Sequence, residues 1–126
     1  MVVDDDTHAL DTVAELLAAV SGVEVCSFAS PWQALDALAA APEKFELVVT
    51  DLEMPGMNGL DFRRQVEVVS PATKVLLTTG SGLFNDESAR ENGFCGLLCK
   101  PFSIGALKET LANLVAADAS HFSMAT

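Results

Sequence analysis

Acidic, hydroxyl and ammonium side chains follow four short apolar runs of this sequence, and together they could hold a phosphoryl group and a hard cation. The runs and the side chains after them are Val2-Val3 before Asp4 and Asp5, Leu47–Thr50 before Asp51, Val75–Leu77 before Thr78 and Thr79, and Gly96–Cys99 before Lys100. Short apolar runs of this kind are typical of strands in a buried parallel sheet. Because open α/β sheets bind ligands at the carboxyl ends of their strands, we expect these side chains to meet in one crevice.

Carboxylates that lie this close together repel one another, so a cation is expected among them. Oxygen ligands on a loop-lined edge suit Mg²⁺, which prefers octahedral oxygens and usually retains several waters. His8 and His121 are not placed to join such a cluster, which argues against zinc. We therefore predict a Mg²⁺ site at Asp4, Asp5 and Asp51.

A phosphoryl donor beside this cluster would give each side chain a role. Asp51 is the best candidate nucleophile, because it stands alone at its strand end before an accessible loop with glycines and a proline. A carboxylate that attacks phosphorus forms an aspartyl phosphate. The cation and Lys100 would neutralise the equatorial oxygens during transfer, and the Thr79 hydroxyl could donate to a phosphoryl oxygen.

Length and composition favour one compact domain. The 126 residues are 50% hydrophobic, with a mean hydropathy of +0.34, and no apolar stretch approaches the ~20 residues of a membrane span. The N-terminus lacks the pattern of a signal peptide, so we expect a cytoplasmic protein. The 18 acidic and 7 basic residues give a net charge of −11, which repels nucleic-acid phosphates. We expect contact with neither membranes nor nucleic acids.

Apolar periodicity predicts five strands and five helices in strict alternation. The predicted strands lie at residues 2–3, 23–28, 47–50, 74–79 and 95–99, and the weakest predicted helix lies at 84–92. Such alternation indicates a single three-layer α/β/α domain with a parallel sheet. We expect the flavodoxin-like strand order 2-1-3-4-5, which places the first and third strands at the switch point. The domain is predicted at 1–117, with a frayed tail at 118–126.

Trp32 and the three cysteines are assigned structural roles. Trp32 lies on the first turn of a predicted exposed helix, as a half-buried surface aromatic. Cys26, Cys95 and Cys99 are predicted to be buried, reduced thiols. Cys95 and Cys99 would lie ~13 Å apart on a strand, whereas a disulfide needs Cα atoms about 4.4–6.8 Å apart.

Four motifs make the chain resemble a receiver domain of two-component signalling over roughly residues 1–117. They are Val2–Asp6, Asp51–Gly59, Thr79-Gly80 and Lys100–Phe102. The resemblance implies that Asp51 is the phosphoacceptor and that Lys100 pairs with the phosphate. It also implies a Mg²⁺ site in which Asp5 is a direct ligand, Asp4 lies beside it and the Glu53 backbone carbonyl is a further ligand.

The resemblance further implies a phosphorylation-dependent signalling switch and not an enzyme. A histidine kinase or a histidine phosphotransfer domain would donate the phosphoryl group to Asp51. Thr79 would be the switch hydroxyl and would move with the Gly80–Gly82 loop, which changes the exposed surface of the fourth helix, fifth strand and fifth helix. Glu53 and Ser81 would tune the lifetime of the phosphorylated state.

Leu97 departs from the family pattern, because receivers often carry an aromatic residue three positions before the lysine, and this chain contains no Tyr. A binding module that kept the fold and lost the switch is therefore one alternative. A second alternative is a phosphatase that forms an aspartyl phosphate, with Glu53 as its second acid.

Two further expectations follow from the resemblance. Pro101 should follow a cis peptide bond, which is cheap only before proline. The Asp51–Gly59 loop also resembles receivers fused to hybrid sensor kinases, so the chain is either a stand-alone regulator or a piece of such a kinase. We expect a monomer or a weak dimer.

Overall fold

The computed structural model describes residues 1–22 and 24–125, with side chains described at residues 1–20, 22 and 24–114. The strands of this described part are β1 (Val2–Val3), β2 (Ser27–Phe28), β3 (Leu47–Asp51), β4 (Lys74–Thr79) and β5 (Gly96–Cys99). The helices are α1 (Thr7–Ser21), α2 (Pro31–Ala40), α3 (Gly59–Val69), α4 (Asp86–Glu91) and α5 (Ile104–Ala125), and a 3-10 turn spans Pro42–Lys44. The tail predicted at 118–126 lies outside the residues whose side chains are described.

The sheet is parallel throughout, and its strand order is β2-β1-β3-β4-β5. This confirms the predicted flavodoxin-like order. β1 lies between β2 and β3, with Val3 opposite Phe28 on one side and Thr50 on the other. The chain therefore leaves β1 toward one edge of the sheet and later returns to build the other edge, which opens a crevice at the carboxyl ends of β1 and β3.

Alternate residues along the strands face opposite sides of the sheet and contribute to two separate cores. The core on the side of α2, α3 and α4 contains Val3, Val48 and Leu77 with Leu38, Phe62 and Ala89. The core on the side of α1 and α5 contains Val2, Val49 and Leu76 with Val13, Leu17 and Leu107. Because both faces of the sheet are covered, the strand ends are the place that remains for charged side chains.

In the described part of the chain, no helix has both the length and the apolar character needed to cross a bilayer.

Side-chain caps fix the helix starts that flank the crevice. The Asn58 Oδ1 accepts a hydrogen bond from the Asp61 N–H over 2.9 Å, and the Ser30 Oγ accepts one from the Gln33 N–H over 3.4 Å. Both contacts satisfy amide donors of a first helical turn, which would otherwise lack a partner. Ser30 therefore caps α2, and Asn58 caps α3.

Two predicted elements are longer than those in the structure. β2 has two residues instead of the predicted 23–28, because this edge strand pairs with β1 and β1 is itself two residues long. Val23 lies outside the described residues. α4 covers six residues instead of 84–92, because Asn85 and Ser88 cap each other's backbone N–H groups and start the helix later.

The cysteines are free thiols, as predicted, but they are not all buried. Cys26 and Cys95 are half-buried, whereas Cys99 is exposed. Cys99 is the last residue of β5 and lines the groove between α4, β5 and α5, which leaves it open to solvent.

This difference in burial predicts a difference in reactivity. Burial raises the pKa of the Cys95 thiol from 9.0 to about 11, against a weaker opposing effect of the Lys74 charge. In the native protein near pH 8, we expect iodoacetamide to modify exposed Cys99 first and Cys95 about a hundredfold more slowly, because the thiolate is the nucleophile. Peptide mapping by mass spectrometry over a time course gives both rates, and urea-unfolded protein is the control. Equal rates in the native protein would contradict the burial of Cys95.

Candidate functional site

Three carboxylates meet at the carboxyl ends of β1 and β3. The two strands are neighbours with Val3 opposite Thr50, so the residues that follow, Asp4 and Asp51, lie side by side. One carboxylate oxygen from each of Asp4, Asp5 and Asp51 lies within 4.8 Å of the others. The structure therefore brings together the three acids that the sequence analysis assigned to a cation.

Lys100 enters the same crevice from the end of β5. Thr79 pairs with Cys99 in the sheet, and the Lys100 backbone N–H donates to the Thr79 carbonyl over 2.8 Å. The Lys100 ammonium donates to Asp4 Oδ2 over 2.9 Å and to Asp51 Oδ1 over 3.1 Å. Residues that are far apart in the sequence thus form a bridged charge cluster.

Burial and charge act in opposite directions on the groups of this cluster. Burial raises the pKa of the Asp51 carboxyl, and the nearby Asp4 charge adds to this, so the pKa lies above its ordinary value although Lys100 pulls it down. Burial alone would lower the pKa of Lys100, but hydrogen bonds and attraction from Asp4 and Asp51 outweigh it and raise that pKa. Lys100 is therefore held as an ammonium, and it only partly offsets the cost of charge on Asp51.

The three consecutive acids after β1 have three different environments. The side chain of Asp4 is 4% exposed, and its oxygens accept from Lys100 and from the Asp6 backbone N–H at 3.0 Å. Asp5 is exposed at the mouth of the crevice. Asp6 caps α1, because its Oδ1 accepts from the His8 N–H over 3.0 Å. Of the two exposed acids, Asp5 is the one whose carboxylate belongs to the cluster with Asp4 and Asp51.

The donor set of this crevice fits Mg²⁺. The three acids offer oxygen atoms, which magnesium prefers, and the described residues of the cluster include neither a thiolate nor an imidazole. Their oxygens lie within 4.8 Å of one another, close enough to share one cation, which would supply positive charge beside Asp51. Asp4, Asp5 and Asp51 would hold the ion.

The loop after Asp51 is shaped by a close approach between backbones. The Gly59 N–H donates to the Leu52 carbonyl over 2.7 Å, and a Cβ at Gly59 would lie 2.7 Å from the Asp51 carbonyl oxygen. Only glycine therefore lets α3 begin this close to the end of β3. Within the loop, Glu53 is exposed and lines one groove together with Asp5, at the rim of the carboxylate cluster.

Thr79 ends β4 beside the crevice and is fully buried. Its hydroxyl oxygen accepts a hydrogen bond from the Ser81 N–H over 3.0 Å. Half-buried Ser81 in turn accepts from the Leu83 N–H over 3.2 Å, so the two hydroxyls hold the Gly80–Gly82 loop in successive turns. A move of the Thr79 hydroxyl toward the carboxylates would break the first of these contacts.

Leu97 in β5 and Pro101 just after it lie to one side of the crevice. Leu97 is half-buried and packs against the core beneath α2, α3 and α4. The Lys100–Pro101 peptide bond is cis, as predicted. Leu97 and Pro101 line a groove between α4, β5 and α5, and neither belongs to the charge cluster.

Two contributors to the site were not assigned from the sequence. One is the Asp6 cap, although an acid directly before the first helical residue is a recognisable N-terminal signal. The other is Trp32, whose ring packs against Gly56 in the loop after Asp51. The sequence carries no local signal for this second contact, because it joins residues from two separate βα units.

The raised pKa of Asp51 predicts that its charge destabilises the metal-free protein. A carboxyl whose pKa is higher in the folded than in the unfolded state lowers the free energy of unfolding when it is ionised, above the folded-state pKa. This destabilisation disappears as the pH falls to 3.8, the ordinary pKa of the Asp51 carboxyl. We expect Asp51→Asn to raise the melting temperature near pH 7 in the presence of a chelator, with a smaller gain near pH 4. Asp36→Asn, on the exposed face of α2, is the control. A lower melting temperature for Asp51→Asn would show that the Lys100 pairing outweighs burial.

The chain is similar to proteins of known class over most of its length. Residues 1–112 match the family model of the response regulator receiver domain. The two-component response regulator ARR14 of Arabidopsis thaliana is 33% identical over 117 residues, which cover 91% of this chain and 30% of that protein. The sensory/regulatory protein RpfC of Xanthomonas campestris is 34% identical over 121 residues, which cover 90% of this chain and 16% of that protein.

A similar fold is found among solved structures. The crystal structure of a response regulator receiver domain protein from Clostridium thermocellum superposes with a TM-score of 0.81 at 28% identity, covering 94% of each chain. By contrast, this chain spans less than a third of the two curated relatives. The similarity therefore concerns one domain of those longer proteins.

Proposed function

Because this chain belongs to the response regulator receiver domain family, we propose that it is the phosphoacceptor of a two-component phosphorelay and that Asp51 takes up the phosphoryl group. The observation that carries the proposal is the Lys100 ammonium, which bridges Asp4 and Asp51 at 2.9 and 3.1 Å. This contact keeps one cation next to the carboxylate that reacts. The same ammonium is within reach of a phosphoryl group bound to Asp51.

The reaction uses residues that are already in place. An Asp51 oxygen attacks the phosphorus of a phosphohistidine, the P–N bond breaks, and its electron pair returns to the imidazole. Lys100 gives up its contact with Asp51 and pairs with a phosphoryl oxygen, while Asp4 keeps the ammonium in position. Asp4, Asp5, Asp51 and the Glu53 backbone carbonyl would hold Mg²⁺, which would supply positive charge to the phosphoryl oxygens.

The phosphorylated state then changes a nearby surface. The Thr79 hydroxyl turns toward the phosphoryl group and releases the Ser81 N–H that it now accepts from. The Gly80–Gly82 loop moves with it and alters the exposed surface of α4, β5 and α5. The groove lined by Leu97 and Pro101 lies on this surface, so it is the part that a downstream partner would read.

The partners follow from this chemistry. A histidine kinase or a histidine phosphotransfer domain supplies the phosphoryl group in the cytoplasm. The chain acts as a stand-alone regulator or as one domain of a hybrid kinase, and as a monomer or weak dimer. Its net charge of −11 disfavours direct contact with nucleic acid.

Leu97 supports one second candidate, a receiver-like binding module without a switch. Its side chain packs on the core where other receivers often place an aromatic residue. The two candidates differ in amide exchange, because a working switch changes protection in α4 and β5 after phosphorylation. Full labelling of Asp51 without such a change would favour the binding module.

Asp51→Asn tests the phosphoacceptor directly. We expect the wild-type chain to gain one phosphoryl group from acetyl phosphate with Mg²⁺, and the variant to gain none, because the amide is not a nucleophile. Intact-mass spectrometry measures the uptake. Asp36→Asn is the matched control and should label like the wild type. Undiminished labelling of Asp51→Asn would reject the assignment.

Glu53→Gln and Ser81→Ala test the lifetime of the phosphorylated state. Both residues lie near the rim of the crevice, where side chains can screen or orient the attacking water. We expect each variant to change the dephosphorylation rate by about threefold or more, with little change in Mg²⁺ affinity. Decay of the phosphorylated mass gives the rate, and calorimetry gives the affinity. Glu43→Gln, in the 3-10 turn before β3, is the control; equal effects on rate and affinity would contradict the role.

A further inference from the structure

Trp32 packs against the loop that follows the phosphoacceptor. A Cβ at Gly56 would lie 2.6 Å from Cη2 of Trp32, 3.5 Å from its Cζ3 and 3.6 Å from its Cζ2. Three ring atoms this close to one position show that the ring lies directly on the Gly56 backbone. Gly56 has a φ of +79°, so glycine is favoured here both by the backbone conformation and by the ring.

This contact matters because the loop has few other restraints. Hydrogen bonds hold both ends of the loop, at the Leu52 N–H and the Gly59 N–H. Between them, residues 53–57 make no backbone hydrogen bond among the contacts of the described residues. Met54 points into the core and is buried, and the Trp32 ring packs against the loop at Gly56. Met57 also packs against the core. Side chains therefore hold a segment that the backbone does not, and Trp32 is the one that reaches it from another element.

Trp32 is mounted on a well-anchored helix. It follows Pro31 in the first turn of α2, and the Ser30 side chain caps that turn. Ala34 and Leu38 are fully buried and fix α2 to the sheet. Trp32 is still 51% exposed, whereas tryptophan residues are on average highly buried. The contact with Gly56 gives a structural reason for a tryptophan at this exposed position.

We propose that Trp32 is a positioning residue for metal binding: it clamps the loop at Gly56 and thereby holds the Glu53 backbone beside Asp5 and Asp51. The inference rests on the proposed function, because it requires that this loop supplies a metal ligand. Glu53 lies three residues before Gly56, within the segment that lacks backbone hydrogen bonds. Loss of the ring frees that segment without touching a carboxylate.

The test compares Trp32→Ala with Trp32→Phe and with Val68→Ala. Val68 is 76% exposed on α3, so its truncation removes surface hydrophobic area away from the loop. We expect Trp32→Ala to raise the Mg²⁺ concentration for half-maximal labelling of Asp51 about fivefold to tenfold, at the weak end of the range for residues that orient metal ligands. Trp32→Phe keeps a ring on Gly56 and should stay within about twofold of the wild type.

A second readout does not depend on phosphorylation. In the metal-free protein, ¹⁵N relaxation should show order parameters of about 0.85 for the Glu53, Gly56 and Met57 amides, falling toward about 0.6 in Trp32→Ala. The amides of α2 and α3 should not change. If Trp32→Ala does not fold, Trp32→Leu takes its place, because it keeps apolar volume but loses the flat ring.

The outcomes separate the two proposals. The positioning role would be overturned if the Trp32 variant had the same order parameters and Mg²⁺ dependence as Val68→Ala. It would also be overturned if the loop became mobile while the Mg²⁺ dependence stayed unchanged. A wild-type chain that takes up no phosphoryl group would instead reject the proposed function. In that case calorimetry with Mg²⁺ alone replaces labelling, and an unchanged affinity in the Trp32 variant would overturn the positioning role.

Discussion

The bridge from Lys100 to Asp4 and Asp51 is the interaction on which the crevice depends. Charges this far from water need partners, and the ammonium provides one at 2.9 and 3.1 Å. The balance is still incomplete, because three carboxylates and one ammonium sum to −2. Burial is the main cause of the raised pKa of the Asp51 carboxyl, and the negative charge of Asp4 raises it further. A divalent cation brings the sum to zero, and a phosphoryl group can then approach an anion that would otherwise repel it.

The sheet permits this cluster because its strands are apolar on both faces. Val2 and Val3 contribute to opposite cores, as do Val48 and Val49, so the charged residues of the strands lie at strand ends, as Lys74 and Asp51 do. The three acids and the Lys100 ammonium follow the strands at their carboxyl ends, and parallel pairing brings them together. The crevice and the core are thus two consequences of the same pattern, in which apolar runs end abruptly in polar residues.

The residues whose positions could be predicted are those marked by their immediate neighbours in the sequence. Asp51 and Lys100 follow apolar runs, and both are found at the strand ends where the pattern predicts them. The length of β2 was not predictable from its own residues, because it is limited by the two residues of β1.

Other features depend on contacts between distant parts of the chain. The exposure of Cys99 depends on the groove between α4, β5 and α5, which no single element determines. The stacking of Trp32 on Gly56 joins the start of one helix to a loop after another strand. Alternation of hydrophobicity cannot encode such a pair, because neither residue changes the pattern of its own element.

The two sides of the crevice are built differently, and this difference is what a switch requires. On the side of β3, Gly59, Met54 and Trp32 restrain the loop that would hold the cation. On the side of β4, the loop with Gly80 and Gly82 leads to an exposed Leu83 and to a helix of only six residues. Few buried contacts make such a segment the cheaper one to rearrange. In the proposed switch, the restrained side would hold the cation beside Asp51, and the loosely packed side would change its surface, with buried Thr79 between them.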